Sequence, residues 1–195
     1  MALLSSVREA ATQHIEGRVL LEIARAAIGR TFGLTVPSRT AAWLYEPGAT
    51  FVTLRTKGEV RGCVGTLQAH RRLFEDVEAN SIAAAFRDPR FSPLAQREFP
   101  NVRIEVSLLS ALTRLSFADE NEAMSQLEPG VHGVALEYGS AQATFLPQVW
   151  QELPDPVEFL AQLKRKAGLP ETFWANNLQL RVYTVAKWKE VDFES

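Results

Sequence analysis

The only cysteine of the chain, Cys63, lies in the segment EVRGCVGTLQAH, residues 59–70. Gly62 precedes it directly and Gly65 follows two residues later. Strand periodicity places Arg61 and Cys63 side by side on one face, and a neighbouring guanidinium favours the thiolate, the reactive form of cysteine. Glycines let another backbone or a ligand approach closely. The segment can therefore support a nucleophilic or redox-active cysteine.

A purely structural interpretation of Cys63 is also open. The same periodicity turns Val60 and Val64 towards the core. Free cysteine is among the most buried residue types and packs as a small hydrophobe. The two glycines can mark a bulge that bends the strand. The spacing of residues alone does not choose between a structural and a functional cysteine.

His132 is the candidate base for such a cysteine. It lies inside a second Gly-x-x-Gly, in PGVHGV at residues 129–134, and cysteine catalysis needs a base, most often histidine. The alternative is a turn histidine that bonds the local backbone. The three histidines, at 14, 70 and 132, have no metal-ligand spacing. We therefore predict no metal site. The sequence also has no Gly-x-x-x-x-Gly-Lys and no dinucleotide-binding glycine pattern, so we predict no cofactor.

Composition bounds the class of protein. The chain has 195 residues, of which 46% are hydrophobic and 23% charged, as in an ordinary globular domain. The net charge of −2 gives no electrostatic footprint for nucleic acid or an anionic membrane. A single cysteine excludes an intramolecular disulfide and indicates a reducing compartment. With no basic leader and no apolar run of membrane length, we expect a cytoplasmic protein.

Periodicity and turn residues predict alternating helices and strands. The predicted helices cover 14–33, 72–86, 118–127 and 155–168. The predicted strands cover 48–56, 60–67, 101–110, 134–138, 142–147 and 177–191. Clean alternation in strand 101–110 predicts one wet face that includes Glu105. Because no repeat or long linker interrupts the chain, these elements favour one compact α+β unit.

At VRGCVGTL the chain resembles the AMMECR domain family, whose hallmark segment is Leu-Arg-Gly-Cys-Ile-Gly-Thr. Val60 and Val64 replace the leucine and isoleucine. The resemblance covers residues 15 to 190 and continues, in the family's order, through FRDPRFSPL, VSLLS, GVHGVALEY, ATFLPQVW and LKRKAGLP. Several matching segments are far more specific than one motif.

The resemblance implies a fold and a set of positions. The fold is α+β, with a mixed, largely antiparallel sheet flanked by helices and with a larger and a smaller subdomain. Residues 1–195 would form a single domain of two intertwined subdomains, with the hallmark segment at a cleft. The matching positions are Arg61, Gly62, Cys63, Gly65, Thr66, Asp88, Arg90, Phe91, His132 and Gly133.

The segment RDPRF has a structural alternative as well. Asp88 before a proline ends a helix, and Phe91 can anchor the following loop in the core. Arg90 could instead neutralise an anionic group at the cleft, although most surface ion pairs contribute little.

Two functions remain open at this point. The chain is similar to the A component of the AmmeMemoRadiSam system, which implies a binding or accessory role beside a Memo-type protein and a radical S-adenosylmethionine enzyme. A small molecule or a peptide would be the ligand of the cleft. The alternative is an enzyme in which Cys63 is the nucleophile and His132 the base.

Overall fold

The structure is a computed structural model that describes residues 2–193 and the side chains of residues 14–193. The helices are α1 (Ala2–Thr31), α2 (Leu73–Phe86), α3 (Glu120–Ser125) and α4 (Pro156–Lys166). The strands are β1 (Ala49–Thr56), β2 (Glu59–Gly65), β3 (Arg103–Leu109), β4 (Thr113–Arg114), β5 (Gly133–Tyr138), β6 (Ala141–Phe145), β7 (Gln179–Tyr183) and β8 (Val185–Lys189). The predicted α+β fold class is confirmed.

The chain divides into two compact units. The first comprises the residues up to Leu109 and those from Ala186 on, and the second is Ser110–Val185. Each unit has one four-stranded sheet, ordered β2-β1-β3-β8 in the first and β4-β7-β5-β6 in the second.

In the first unit, helices α1 and α2 pack on each other and against the sheet. β1 pairs antiparallel with β2 and with β3. Alternate side chains of the central strands point towards the helices and are fully buried, namely Val52, Leu54, Ile104 and Val106. They pack with apolar side chains from both helices, including Leu20, Ile28 and Val77.

The predicted wet face of strand 101–110 is wrong at Glu105, which is only 5% exposed. Arg55 of β1 donates from Nε to its Oε1 at 2.9 Å. Lys187 of β8 places Nζ 2.7 Å from its Oε2. Burial raises the pKa of Glu105, but the ion pairs with Lys187 and Arg55 outweigh burial and hold that pKa below its usual value. The alternation of apolar and polar residues in one strand contains no information about charged side chains on the neighbouring strands.

In the second unit, α4 and α3 pack beside the sheet around their own apolar cluster. The ring of Trp150 stacks on that of Phe159, with centroids 3.7 Å apart. The predicted ends of α4 are confirmed: Asp155 accepts a hydrogen bond from the backbone N–H of Val157, and Gly168 has a positive φ of 80°, as a helix stop requires.

The single strand predicted over 177–191 is wrong, because the segment forms two strands in different sheets. β7 belongs to the second unit's sheet and β8 to the first, with Thr184 between them. The N–H of Thr184 donates to Ser110 Oγ at 2.9 Å, and its carbonyl accepts from Ser110 N–H at 3.0 Å. No glycine or proline marks this break, so local sequence carries no sign of it.

Among the described residues, none of the helices has the length and apolar character that crossing a bilayer requires.

Candidate functional site

Cys63 lies on β2, an edge strand of the first unit's sheet. It pairs with Thr53 of β1, whose hydroxyl donates a hydrogen bond to Sγ, with Oγ1 3.2 Å from the sulfur. The thiol side chain is half-buried. Because Val52 and Leu54 point into the helix-covered core, Thr53 and Cys63 lie on the opposite face of the sheet.

A β-bulge at Arg61 changes the expected arrangement around the cysteine. Leu54 pairs with Gly62, whereas Arg55 pairs with Val60, which leaves Arg61 as the extra residue. Val60 is consequently 36% exposed instead of facing the core.

The guanidinium of Arg61 is engaged away from the thiol. It forms a two-point ion pair with Glu98, with Nε 3.0 Å from Oε1 and Nη2 3.2 Å from Oε2. This pair, together with the N–H of Ala95, holds the pKa of Glu98 below its ordinary value. Arg61 therefore fastens β2 to the segment that carries Glu98.

Asp88 fixes the backbone of the cysteine. Its Oδ2 accepts a hydrogen bond from Cys63 N–H at 2.8 Å, so the edge strand's outward donor is satisfied. The same carboxylate binds Arg90, whose Nη2 lies 2.7 Å from Oδ2 and whose Nε lies 3.0 Å from Oδ1. The bond from Arg90 holds the pKa of Asp88 far below its ordinary range, although burial opposes this.

Arg90 is the guanidinium that reaches Cys63. Its Nη2 lies 3.5 Å from the carbonyl oxygen of Cys63, and its side chain is 58% exposed while that of Asp88 is 3% exposed. The structure thus places a fixed carboxylate and a largely exposed cation against the backbone of Cys63, whose thiol is half-buried.

The two glycines that flank Cys63 contact protein atoms. A Cβ at Gly62 would lie 2.1 Å from the backbone oxygen of Ala84 in α2. A Cβ at Gly65 would lie 2.2 Å from the ring of Phe51. Both positions therefore need glycine for close packing, of a helix backbone in one case and of an aromatic ring in the other.

Thr66 belongs to a buried polar network at the end of β2. Its hydroxyl accepts from Asn80 Nδ2 at 3.1 Å and from Arg71 Nη2 at 3.3 Å. Asp76, fully buried, accepts from Thr50 N–H at 2.8 Å and from Arg71 Nε at 2.9 Å. The network joins β1, the end of β2 and α2, so it stabilises the loop that follows the cysteine strand.

His132 lies in the second unit, whereas Cys63 lies in the first. The imidazole Nδ1 accepts a hydrogen bond from the N–H of Glu128 at 3.1 Å. The carbonyl of His132 accepts from Trp150 Nε1 at 2.7 Å. The ring and the backbone of His132 therefore both contribute to the turn between α3 and β5.

The side chains around Cys63 are better suited to binding a ligand than to acid–base catalysis. Within residues 14–193, the hydrogen-bond partner of Sγ is the Thr53 hydroxyl, which is not a base at neutral pH. In that same range no three His, Cys, Asp or Glu side chains cluster as metal ligands would. The exposed donors of Arg90 suit an anionic or carbonyl group of a ligand.

Thr53 and Glu98 are site residues that the sequence did not indicate. The tight turn at Lys57 and Gly58 pairs Thr56 with Glu59, and regular counting from there would place Val52 opposite Cys63. The bulge shifts the register by one residue and brings Thr53 to that position. The two glycines beside Cys63 had left a bulge open as one interpretation, but they did not place it at Arg61, so the partner of the thiol could not be found by counting.

The comparisons with known proteins agree with this fold. A model of the AMMECR1 family matches residues 21–188. A protein of Aeropyrum pernix is 34% identical over 185 residues, which cover 91% of this chain and 80% of that one. A protein of Methanosarcina acetivorans is 33% identical over 187 residues, covering 92% and 94%. The crystal structure of an uncharacterised protein from Pyrococcus horikoshii has a TM-score of 0.77 and 30% identity, covering 89% of this chain and 90% of that chain.

The family match spans most of the chain, and it includes both units and the cysteine segment. The chain belongs to the AMMECR1 family. The resemblance that the sequence showed at VRGCVGTL is thereby confirmed. Since the Pyrococcus protein is itself uncharacterised, these matches establish the family and the fold, and they assign no activity.

Proposed function

We propose that this AMMECR1-family protein is a binding or accessory component of a modification system, and that it recognises its ligand through Arg90, beside a Cys63 whose thiol only packs. The observation that carries the proposal is the double role of Asp88, which holds both the Cys63 backbone and the Arg90 guanidinium. This arrangement pre-positions an exposed cation at low entropic cost, as binding sites require. The ligand is a small molecule or a peptide with an anionic or carbonyl group.

We further propose that the protein acts in the cytoplasm beside a Memo-type protein and a radical S-adenosylmethionine enzyme. The support is the resemblance to the A component of the AmmeMemoRadiSam system. The single cysteine is consistent with a reducing compartment, since a free thiol persists there.

Reconstitution with the two proposed partners tests this function. The protein is mixed with the Memo-type protein and the radical enzyme of its own organism, and complex formation is followed by size-exclusion chromatography. We expect a complex that Cys63→Ala retains and that Arg90→Gln weakens. Arg87→Gln is the matched control, because Arg87 is an exposed arginine nearby. If neither partner co-elutes with the wild-type protein, the proposed role is wrong.

An enzyme that uses Cys63 as nucleophile, with His132 as base, is the second candidate. The observation in its favour is the Thr53 hydroxyl, which donates to Sγ at 3.2 Å and so holds the sulfur in one position. Alkylation by iodoacetamide at graded pH provides the test. A folded protein whose Cys63 reacts readily near neutral pH supports the nucleophile, whereas reaction only after unfolding rules it out. His132→Gln should then lower the reaction rate.

A further inference from the structure

A cavity of about 310 Å³ lies at one edge of the second unit's sheet. The end of β4, the segment that follows it and the segment that precedes β7 form its walls. Its lining residues are Arg114, Leu115, Ser116, Phe117, Asn176 and Leu178. The volume falls within the usual range for small-ligand pockets, roughly 300–1,000 Å³.

Among the described residues that line this cavity, Arg114 is the only one with a charge. It is exposed, and its guanidinium makes no hydrogen bond or ion pair with the part of the chain that the structure describes. Arg181 of β7 lies directly opposite it, and like charges in that position destabilise a sheet. Arg181 has an acidic partner, because its Nη1 lies 3.2 Å from Oε2 of Glu137. The charge of Arg114 is therefore the one left to a ligand.

The carboxylates that follow Phe117 along the chain have partners of their own. Asp119, the N-cap of α3, accepts from the N–H of Glu122 at 2.9 Å. Glu120 binds Lys164, whose Nζ lies 2.7 Å from Oε1. Glu122 in turn accepts from the N–H of Ala118 at 2.7 Å. Since none of these three carboxylates lines the cavity, they do not balance Arg114 there.

The rest of the lining combines polar and apolar side chains. The hydroxyl of Ser116 and the amide of Asn176 make no hydrogen bond within the described part of the chain. Both groups can donate to a carboxylate beside the guanidinium. Leu115, Phe117 and Leu178 pack in the second unit's apolar cluster, and they suit the hydrocarbon part of a ligand.

We propose that this cavity binds a small molecule that has one carboxylate and an apolar part such as an aromatic ring. A guanidinium binds a carboxylate through two parallel hydrogen bonds. One carboxylate balances the single charge of Arg114, whereas a phosphate monoester, with about −1.5 to −2 charges at neutral pH, would exceed it. This site is additional to the proposed function and does not depend on Arg90.

Calorimetric titration of the full chain with benzoate, benzamide and inorganic phosphate, at equal ionic strength, tests the proposal. Benzamide has the shape of benzoate without its charge. We expect saturable binding of one benzoate, and at least about tenfold weaker binding of benzamide and of phosphate, the effect of one well-matched charged contact. Arg114→Gln should weaken benzoate binding about tenfold or more and should leave benzamide binding within about twofold.

Asn176→Asp provides a second variant, because it introduces a negative charge into the lining. It should weaken benzoate binding about tenfold. Asn177→Asp is the matched control, since Asn177 is the exposed next residue and does not line the cavity; its benzoate affinity should stay within about twofold of the wild type. Arg114 and Asn176 are exposed, so their variants should fold, and circular dichroism verifies this.

Two results would show that this cavity does not recognise a carboxylate. They are equal benzoate affinities of the wild type and Arg114→Gln, and equal affinities of the wild type for benzoate and benzamide. Loss of benzoate binding in Arg90→Gln but not in Arg114→Gln would also overturn the proposal, because the ligand would then bind in the first unit.

Discussion

At the scale of single residues, Asp88 contributes to the candidate site as well as to the end of a helix, which was the structural role that its position before a proline indicated. A proline follows it, which accounts for the end of α2, yet its side chain is 3% exposed and binds two partners. One partner is the backbone of Cys63 and the other is Arg90. Asp88 therefore has both roles proposed for RDPRF: it contributes to the end of the helix, and its carboxylate positions Arg90 at the candidate site.

We expect Asp88→Asn to lower the free energy of unfolding by about 2 kcal/mol at pH 7, because hydrogen bonds to a charged group are lost. The pKa of Asp88 is lower in the folded protein than in the unfolded chain. Its stabilisation is therefore complete above the unfolded value, about 4, and is lost as pH falls through the folded value. Urea unfolding at several pH values should show a constant difference between wild type and variant from pH 8 to 5, and a shrinking one below about pH 4.

Glu59→Gln serves as the control for Asp88→Asn, because Glu59 is an exposed carboxyl group and its loss should hardly change stability. An Asp88→Asn protein as stable as the wild type at pH 7 would contradict the role assigned to this carboxylate.

Gly62 supplies a second test at the residue scale. An added methyl group would lie 2.1 Å from the backbone oxygen of Ala84, and the backbone cannot rotate away as a side chain can. We expect Gly62→Ala to lower the free energy of unfolding by about 2–3 kcal/mol, a typical cost of overpacking. Cys63→Ala, one position along the same strand, should lower it by about 1 kcal/mol or less. Equal losses in the two variants, measured by urea unfolding, would show that the contact with α2 is not tight.

At the scale of elements, the sequence predicted well wherever the signal is local. The hairpin of β1 and β2, helix α2 and helix α4 lie where turn residues, caps and periodicity placed them. Features that depend on distant partners were missed. Examples are the burial of Glu105 by cations from β1 and β8, and the pairing of Arg61 with Glu98, 37 residues away. A window of neighbouring residues contains no information about these partners. The bulge in β2 exposes Val60 and changes the partner of Cys63, whereas the thiol itself lies on the face opposite the helices, as strand periodicity predicted.

The N-cap of α4 can be tested directly. Asp155 accepts from the N–H of Val157 at 2.9 Å, and we expect Asp155→Ala to cost about 1 kcal/mol of stability, as for other N-caps. Asp155→Ser should restore most of it, because serine caps helices nearly as well. Glu152→Ala, an exposed change just before the helix, is the control. Thermal unfolding measures all three, and a full loss in the serine variant would speak against capping.

At the scale of the whole molecule, each unit has its own apolar cluster. Leu54 is fully buried in the first cluster and Leu163 in the second. Truncation of either to alanine removes packing worth about 2–5 kcal/mol, and the damage should be greatest within the unit that loses it.

Hydrogen exchange of the intact protein tests this separation. Leu163→Ala should speed amide exchange mainly in residues 110–185, and Leu54→Ala should do so mainly in residues 14–109. The two variants are controls for each other. Uniform acceleration along the chain in both would mean that the units unfold together.

The paired hydrogen bonds between Ser110 and Thr184 have an evolutionary consequence. These bonds hold the two ends of the segment 110–184 next to each other. A short loop could therefore connect β3, which precedes the segment, to β8, which follows it. Insertions are tolerated where their ends meet in this way. Insertions, deletions or replacements within this segment should therefore be tolerated by the first unit's sheet during evolution. A different domain inserted between Ser110 and Thr184 should likewise leave β2, the strand that carries Cys63, unchanged.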